Sequence, residues 1–216
     1  KQGGVSYDVV IPSDYMISRM IDEDMLEPLD FANIPNYSLI SASLKSPAYD
    51  TANAYSVPYT WGTVGIIYDP AKVGEVTSWS ALFDEKNAGQ ILMFDNSRDA
   101  MGIALKYLGY SLNTTDETEL AAAADLLAEQ KPLLQGYVMD QIFDKLESGE
   151  AAIGPYYAGD YLTMLENNPG LKFCIPKEGS NVFVDAMCIL KGAENKANAE
   201  AFINFMTGTE VSSQNC

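Results

Sequence analysis

The sequence contains no histidine among its 216 residues. Without imidazole no Ser-His-Asp or Cys-His nucleophile pair can form, and no histidine is available to a metal. Cysteine is scarce too. Cys174, Cys188 and Cys216 are too widely spaced for a zinc motif and odd in number. Cys174 and Cys188 sit in the apolar runs LKFCIP and DAMCIL, where a cysteine usually serves as a small buried hydrophobe; a disulfide between them stays open. Positive charge is the third shortage, with 13 Lys and Arg against 30 Asp and Glu and a net charge of −17. Such a surface repels nucleic-acid phosphates and anionic headgroups, and it suits cationic partners or plain solubility. No apolar run approaches the roughly 20 residues that a membrane-spanning helix needs. No signal peptide stands at Lys1, so either a leader has been removed or the segment begins inside a longer protein.

What is present is an ordinary globular composition, 47% hydrophobic and 20% charged, able to bury a core in one large domain or two small lobes. Tyr7–Ile11 reads as a β-branched strand stopped by Pro12, with Ser13 capping the helix DYMISRMIDEDM. Residues 26–55 carry Pro28, Pro35 and Pro47 and read as a turn-rich surface crossing. SVPYTWGTVGIIY at 56–68 is a long β-type run whose Gly62 and Gly65 mark bends or close backbone approaches. A helix is predicted over SWSALFDEK, a strand over 89–94, and a helix over SRDAMGIALKYLGY ending at Gly109. Asp116 with Glu119 makes a capping box for ETELAAAADLLAEQ, and Asp140 caps QIFDKLESG. Strand 151–154, helix 156–166, strand LKFCI, strand VFVDAMCIL and helix ANAEAFINFMTG, closed by Gly208, complete the chain. This alternation predicts an α/β fold of mostly parallel sheets flanked by helices.

In open α/β sheets ligands gather beyond the carboxyl ends of strands, at the helix N-termini that follow. That rule selects Ser13, Asp14 and Tyr15, then Asp95 to Asp99, then Pro155 to Asp160. Asp185 interrupts an apolar strand, where a carboxylate is costly unless it turns to water or meets positive charge. DNSRD at 95–99 has the first oxygens of a calcium loop, but Ala100 replaces its glycine and Lys106 its glutamate, and helix capping explains the acids equally. Tyr156, Tyr157 and Asp160 suit an ammonium cage, whereas phenolates would suit Fe(III) and core packing would need neither. Asp95 and Asp99, as a hydrolase pair, would share one helix face and so one wall of a cleft. Asn113-Thr114-Thr115 is a glycosylation sequon read as turn chemistry.

The stretches YDVVIPSDYMISRM, VPYTWGTVGIIYD, TSWSALFD, LGYSLNTTD, GEAAIGPYYAGDY, IPKEGSNVFVDAMCI and NKANAEAFINFM follow one another from Tyr7 to about Met206. In that order they resemble the substrate-binding proteins of spermidine/putrescine ABC importers. The resemblance implies a two-lobed type II periplasmic-binding-protein-like fold. Lobe 1 would be 1–60 plus 188–216 and lobe 2 would be 68–182, with crossings near 60–67 and 183–187. Family members begin with a further strand and helix and continue past the position of Cys216. The resemblance therefore implies an incomplete first lobe, weakened ligand binding and self-association through the truncated lobe.

The family's ligand residues fall on Ser13, Tyr15, Asp99, Tyr157, Asp160, Phe183 and Asp185. Tyr157 and Phe183 stand where relatives usually carry Trp, and Asn96 where spermidine binders use an aspartate. Asp160 matches an aspartate of some putrescine binders. Asp185 and Asp160 would meet one ammonium or neighbouring amines, and Asp99 the other end. Tyr157, Phe183 and Tyr15 would wall the methylene chain, while Ser13 would accept a hydrogen bond. The implied protein is not an enzyme, carries no cofactor or metal, works extracytoplasmically (periplasm, surface lipoprotein or permease-tethered) and delivers a polyamine to a membrane permease. A ferric-ion binder using Tyr156 and Tyr157 and a hydrolase using Asp95 and Asp99 are the alternatives.

Overall fold

Strands and helices alternate through residues 7–215, which are the residues the structure, a computed structural model, describes. In chain order they are β1 (Val9–Val10), α1 (Asp14–Asp22), β2 (Ser56–Tyr68), α2 (Pro70–Val73), β3 (Ile91–Phe94), α3 (Ser97–Tyr107), α4 (Glu117–Gln130) and β4 (Leu134–Val138). Then follow α5 (Gln141–Glu147), β5 (Ile153–Tyr157), α6 (Ala158–Asn167), β6 (Lys172–Cys174), β7 (Val182–Ile189), α7 (Lys196–Met206) and α8 (Thr209–Gln214). The chain divides into two units: unit 1 ends at Trp61 and resumes at Phe183, and unit 2 is Gly62–Val182. Among the described residues no helix is long and apolar enough to cross a membrane.

Unit 1 is organised by β7, which pairs antiparallel with β1 through Val9↔Ile189 and Val10↔Cys188. Successive side chains of a strand point to opposite faces, and here both faces are apolar. Met187 and Ile189 pack with Val57, Ala199 and Ile203, so α7 covers one face. Ala186 and Cys188 pack with Ile17 and Met20, so α1 covers the other. The stretch 26–55, expected to be a surface crossing, forms three 3-10 turns at Phe31–Asn33, Pro35–Leu39 and Ala42–Leu44, and it sends Leu29 and Ile34 into the core. Polar clamps fasten it. Glu200, 2% exposed, accepts the Asp30 N–H at 2.9 Å and the Asn33 amide at 2.7 Å. Asp50, 5% exposed, accepts the N–H groups of Ala54, Tyr55 and Ser56 and the Ser56 hydroxyl.

In unit 2, β3 pairs parallel with β4 and β5, whereas the second half of β2 pairs antiparallel with both β5 and β6. The sheets are therefore mixed, which corrects the expectation of mostly parallel ones. The cause is that β5 and β6 are joined through α6 as in a crossover unit, but β2 is inserted between them in the opposite direction. Gly65 is required by this insertion, since a Cβ there would meet the Phe173 ring at 2.2 Å and the Cys174 carbonyl at 2.6 Å. Ile66, Ile67, Ile91, Leu92, Met93 and Ile153 are fully buried around it.

Local corrections follow from side chains that bind backbone. SWSALFDEK is two 3-10 turns, Trp79–Leu82 and Glu85–Asn87, because Ser78 and Asp84 each accept the N–H two residues on. Asp116 accepts the N–H groups of Thr118 and Glu119, but its own N–H donates to Thr114 Oγ1, so only half of the capping box forms. Gly208 has φ −63° and opens α8 rather than ending α7 in a left-handed turn. Gly109, at φ +83°, does terminate α3 as expected. β4 and α8 carried no signal that was read. Cys174 and Cys188 are free thiols, and burial pushes the Cys188 thiol up to about 12; Cys216 lies outside the described residues.

Replacing Asp50 with alanine strands three N–H groups and a hydroxyl. Asp50→Ala should lower the unfolding free energy by about 3 kcal/mol in urea melts. A loss near zero would show that the 46–56 loop does not depend on this carboxylate.

Candidate functional site

In unit 1 the chain after β1 runs against β7, with Ser13 bridged to Asp185 and the Ala186 N–H donating to the Pro12 carbonyl at 3.2 Å. This register puts the Ser13 hydroxyl at the Asp185 carboxylate, to which it donates at 2.6 Å. Ser13 occupies the N-cap position of α1 but makes no side-chain cap bond. The expected cap is thus corrected: the tertiary carboxylate has taken the hydroxyl. Asp185 is half-buried, and none of the ion pairs among the described residues involves it. Phe183, two residues earlier, shares its strand face and is half-buried. Tyr15, in the first turn of α1, is 43% exposed.

In unit 2 the carboxyl ends of β3 and β5 carry the second group. Asn96 caps α3 through its Oδ1, which accepts the Arg98 N–H at 3.0 Å. Asp99 in the first turn is thereby left for tertiary partners. Its Oδ2 accepts the Asn96 amide at 2.8 Å and the Tyr157 hydroxyl at 3.1 Å, and its Oδ1 the Asn181 amide at 3.4 Å. Tyr157 ends β5, with its ring 5.4 Å from Phe94 and 4.9 Å from Tyr156. Burial, and then the Asp99 charge, push its phenol above the ordinary tyrosine range. Asn181 also accepts the Val64 N–H at 3.1 Å, which fixes the 180–181 loop to β2.

Asp160, in the first turn of α6, is half-buried, and no hydrogen bond to its carboxylate is present among the described residues. Burial first, and Asp140 second, hold its carboxyl above the usual carboxylate range. Asp140 was expected to cap α5 and makes no such bond; its Oδ1 accepts the Tyr156 hydroxyl at 3.0 Å instead. Tyr156 is 3% exposed, packed edge-on against Phe143 and stacked on Phe94. Its phenol is also raised, by burial and by Asp140. Asp95 is exposed and precedes the α3 cap, so it does not share a helix face with Asp99, correcting that expectation. Among the described residues no group of three or more His, Cys, Asp and Glu side chains could hold a metal ion.

Each unit thus holds carboxylates by neutral hydroxyl and amide donors beside aromatic rings. Such an arrangement can take a cation. Sequence reasoning missed Asn181, a loop residue with no local signal, and Asp140, whose tertiary role was hidden behind its position at a helix start. A family model described as bacterial extracellular solute-binding protein matches residues 6–215. The chain belongs to that family. Among curated proteins, the spermidine/putrescine-binding periplasmic protein of Escherichia coli K12 is 31% identical over 211 residues, which are 97% of this chain and 61% of that protein. The putrescine-binding periplasmic protein SpuD of Pseudomonas aeruginosa is 31% identical over 229 residues, 97% of this chain and 62% of its own length. The chain therefore spans about three fifths of the length of these curated relatives. Two crystal structures are also similar. The spermidine/putrescine ABC transporter substrate-binding protein PotD of Streptococcus pneumoniae has 38% identity and a TM-score of 0.84, over 99% of this chain and 66% of that one. The Tp0655 (TpPotD) lipoprotein of Treponema pallidum has 35% identity and a TM-score of 0.90, over 99% and 69%.

The raised carboxyl of Asp160 carries a stability prediction. When a folded-state carboxyl titrates above its unfolded value, the ionised form is the disfavoured one. The cost is present above the folded titration and disappears below the unfolded one, at about pH 3 to 4. Asp160→Asn should therefore raise the melting temperature of the ligand-free protein at neutral pH and leave it unchanged in that acid range. A lower melting temperature at neutral pH would contradict this assignment.

Proposed function

We propose that the chain captures a polyamine of the putrescine/spermidine class outside the cytoplasmic membrane and delivers it to an ABC permease. The observation that carries this reading is Asp160: a half-buried carboxylate with no hydrogen bond and no Lys or Arg partner among the described residues. Such a charge is costly in the free protein, and an ammonium group offsets that cost while an anion or neutral ligand does not. The names of the relatives point the same way, since those proteins are spermidine- or putrescine-binding.

The assigned contacts are Ser13, Tyr15, Phe183 and Asp185 in unit 1 and Asp99, Tyr157 and Asp160 in unit 2. Carboxylates take the ammonium groups, and the aromatic faces take the methylenes and add cation–π attraction. No bond is made or broken; the cycle is capture and release, and the protein is not an enzyme. Phenols that are buried or bonded to carboxylates and pushed upward make Tyr156 and Tyr157 poor Fe(III) ligands, which disfavours the iron reading. Separation of Asp95 from the α3 face disfavours the hydrolase reading.

In calorimetry, Asp185→Asn should weaken putrescine binding by about 1.5–3 kcal/mol, the scale of a hydrogen bond to a charged group. Putrescine should raise the melting temperature of the wild type, and succinate should not, because only a ligand of the native state stabilises it. A larger shift with succinate would overturn the ligand class.

A further inference from the structure

The loop between β6 and β7 is pinned along its length. The Lys177 N–H donates to the Thr77 carbonyl at 2.9 Å, Glu178 accepts the Ser78 hydroxyl, and the Gly179 carbonyl accepts the Trp79 indole N–H at 2.9 Å. The Ser180 hydroxyl donates to the Val64 carbonyl, and the Thr63 hydroxyl to the Asn181 carbonyl at 2.6 Å. None of these bonds uses the Asn181 side chain. That amide fits in one orientation only. Its Oδ1 accepts the Val64 N–H at 3.1 Å, so its Nδ2 faces the Asp99 Oδ1, at 3.4 Å. An aspartate here would keep the Val64 bond but set carboxylate against carboxylate. Asp99 is already held by Asn96 at the start of its own helix and by Tyr157 at the end of β5. Asn181 adds a tie to β2, at a point two residues inside unit 2.

We propose that Asn181 is a positioning residue of the Asp99 subsite: it fixes the direction of the Asp99 carboxylate against β2, so that an ammonium meets an oriented acceptor. This rests on the polyamine reading and deepens it. The loop and strand order the Asp99 side chain before a ligand arrives, which removes part of the entropic cost of binding.

The test uses Asn181→Asp and Asn181→Ala in melts and in putrescine calorimetry. Asn181→Asp keeps the acceptor for Val64 and replaces the donor to Asp99 with a like charge. Two carboxylates that close share a proton, so the folded-state titration is raised. The resulting cost is present at neutral pH and disappears below the unfolded titration, at about pH 3 to 4. Nearby groups do not mimic this difference: the Tyr157 phenol is pushed upward, and Arg98 and Lys106 of α3 stay charged throughout. Ligand-free Asn181→Asp should therefore melt below wild type at pH 7 and match it in that acid range. Asn181→Ala should bind putrescine about two- to tenfold more weakly, the scale of one hydrogen bond. An Asn181→Asp deficit that does not vary with pH, or wild-type affinity in Asn181→Ala, would overturn the role of Asn181 and leave the polyamine reading intact. A wild-type chain that binds no polyamine would overturn that reading and the subsite with it.

Discussion

A shortage of cations governs this molecule. Thirty acidic side chains share 13 Lys and Arg, so carboxylates withdrawn from water have to be held mostly by neutral donors. The chain does this in two ways. Asp50 is closed by backbone N–H groups and the Ser56 hydroxyl, and Glu200 by a backbone N–H and an amide with Lys196 at 3.6 Å, which fasten a proline-rich stretch of unit 1 to its core. Asp185, Asp99 and Asp140 each take one hydroxyl, from Ser13, Tyr157 and Tyr156. A hydroxyl orients a carboxylate without cancelling its charge. The first mode builds structure, and the second leaves the negative charge in place.

Each unit supplies its hydroxyl by strand register. In unit 1 the antiparallel run of Ser13 beside β7 sets donor opposite acceptor. In unit 2, β5 ends on two consecutive tyrosines whose rings lie 4.9 Å apart and both pack against Phe94. Tyr156 goes into the core and reaches Asp140, while Tyr157 is half-buried and reaches Asp99. One dipeptide therefore orients two carboxylates on different helices.

The sequence made the α/β class readable because β-branched runs and capped amphipathic runs alternate along nearly its whole length. Helix starts at Asp116 and the end of α3 at Gly109 were readable for the same local reason. Sheet direction was not, because the insertion of β2 between β5 and β6 depends on Gly65 allowing a close approach that no neighbouring residue signals. Capping signals misled where a distant partner competed. Ser13 and Asp140 both stand at helix starts, and both spend their side chains on residues far away in sequence or on another element. The strand-end rule pointed to Ser13, Asp99, Tyr157 and Asp160, but the bonds from Tyr157 to Asp99 and from Ser13 to Asp185 join residues 58 and 172 positions apart, beyond any local pattern.

The central claim is that the chain leaves Asp185, held by a neutral hydroxyl, and Asp160, held by no hydrogen bond among the described residues, without a cationic partner, so that the ligand supplies the missing positive charge. A crystal structure of the chain grown with spermidine tests it most directly. The account predicts ammonium nitrogens within about 3 Å of Asp160 and Asp185, with the Ser13 and Tyr156 hydroxyl bonds retained. Spermidine bound away from both carboxylates, or Asp160 and Asp185 found paired with Lys or Arg side chains of the chain itself, would contradict it.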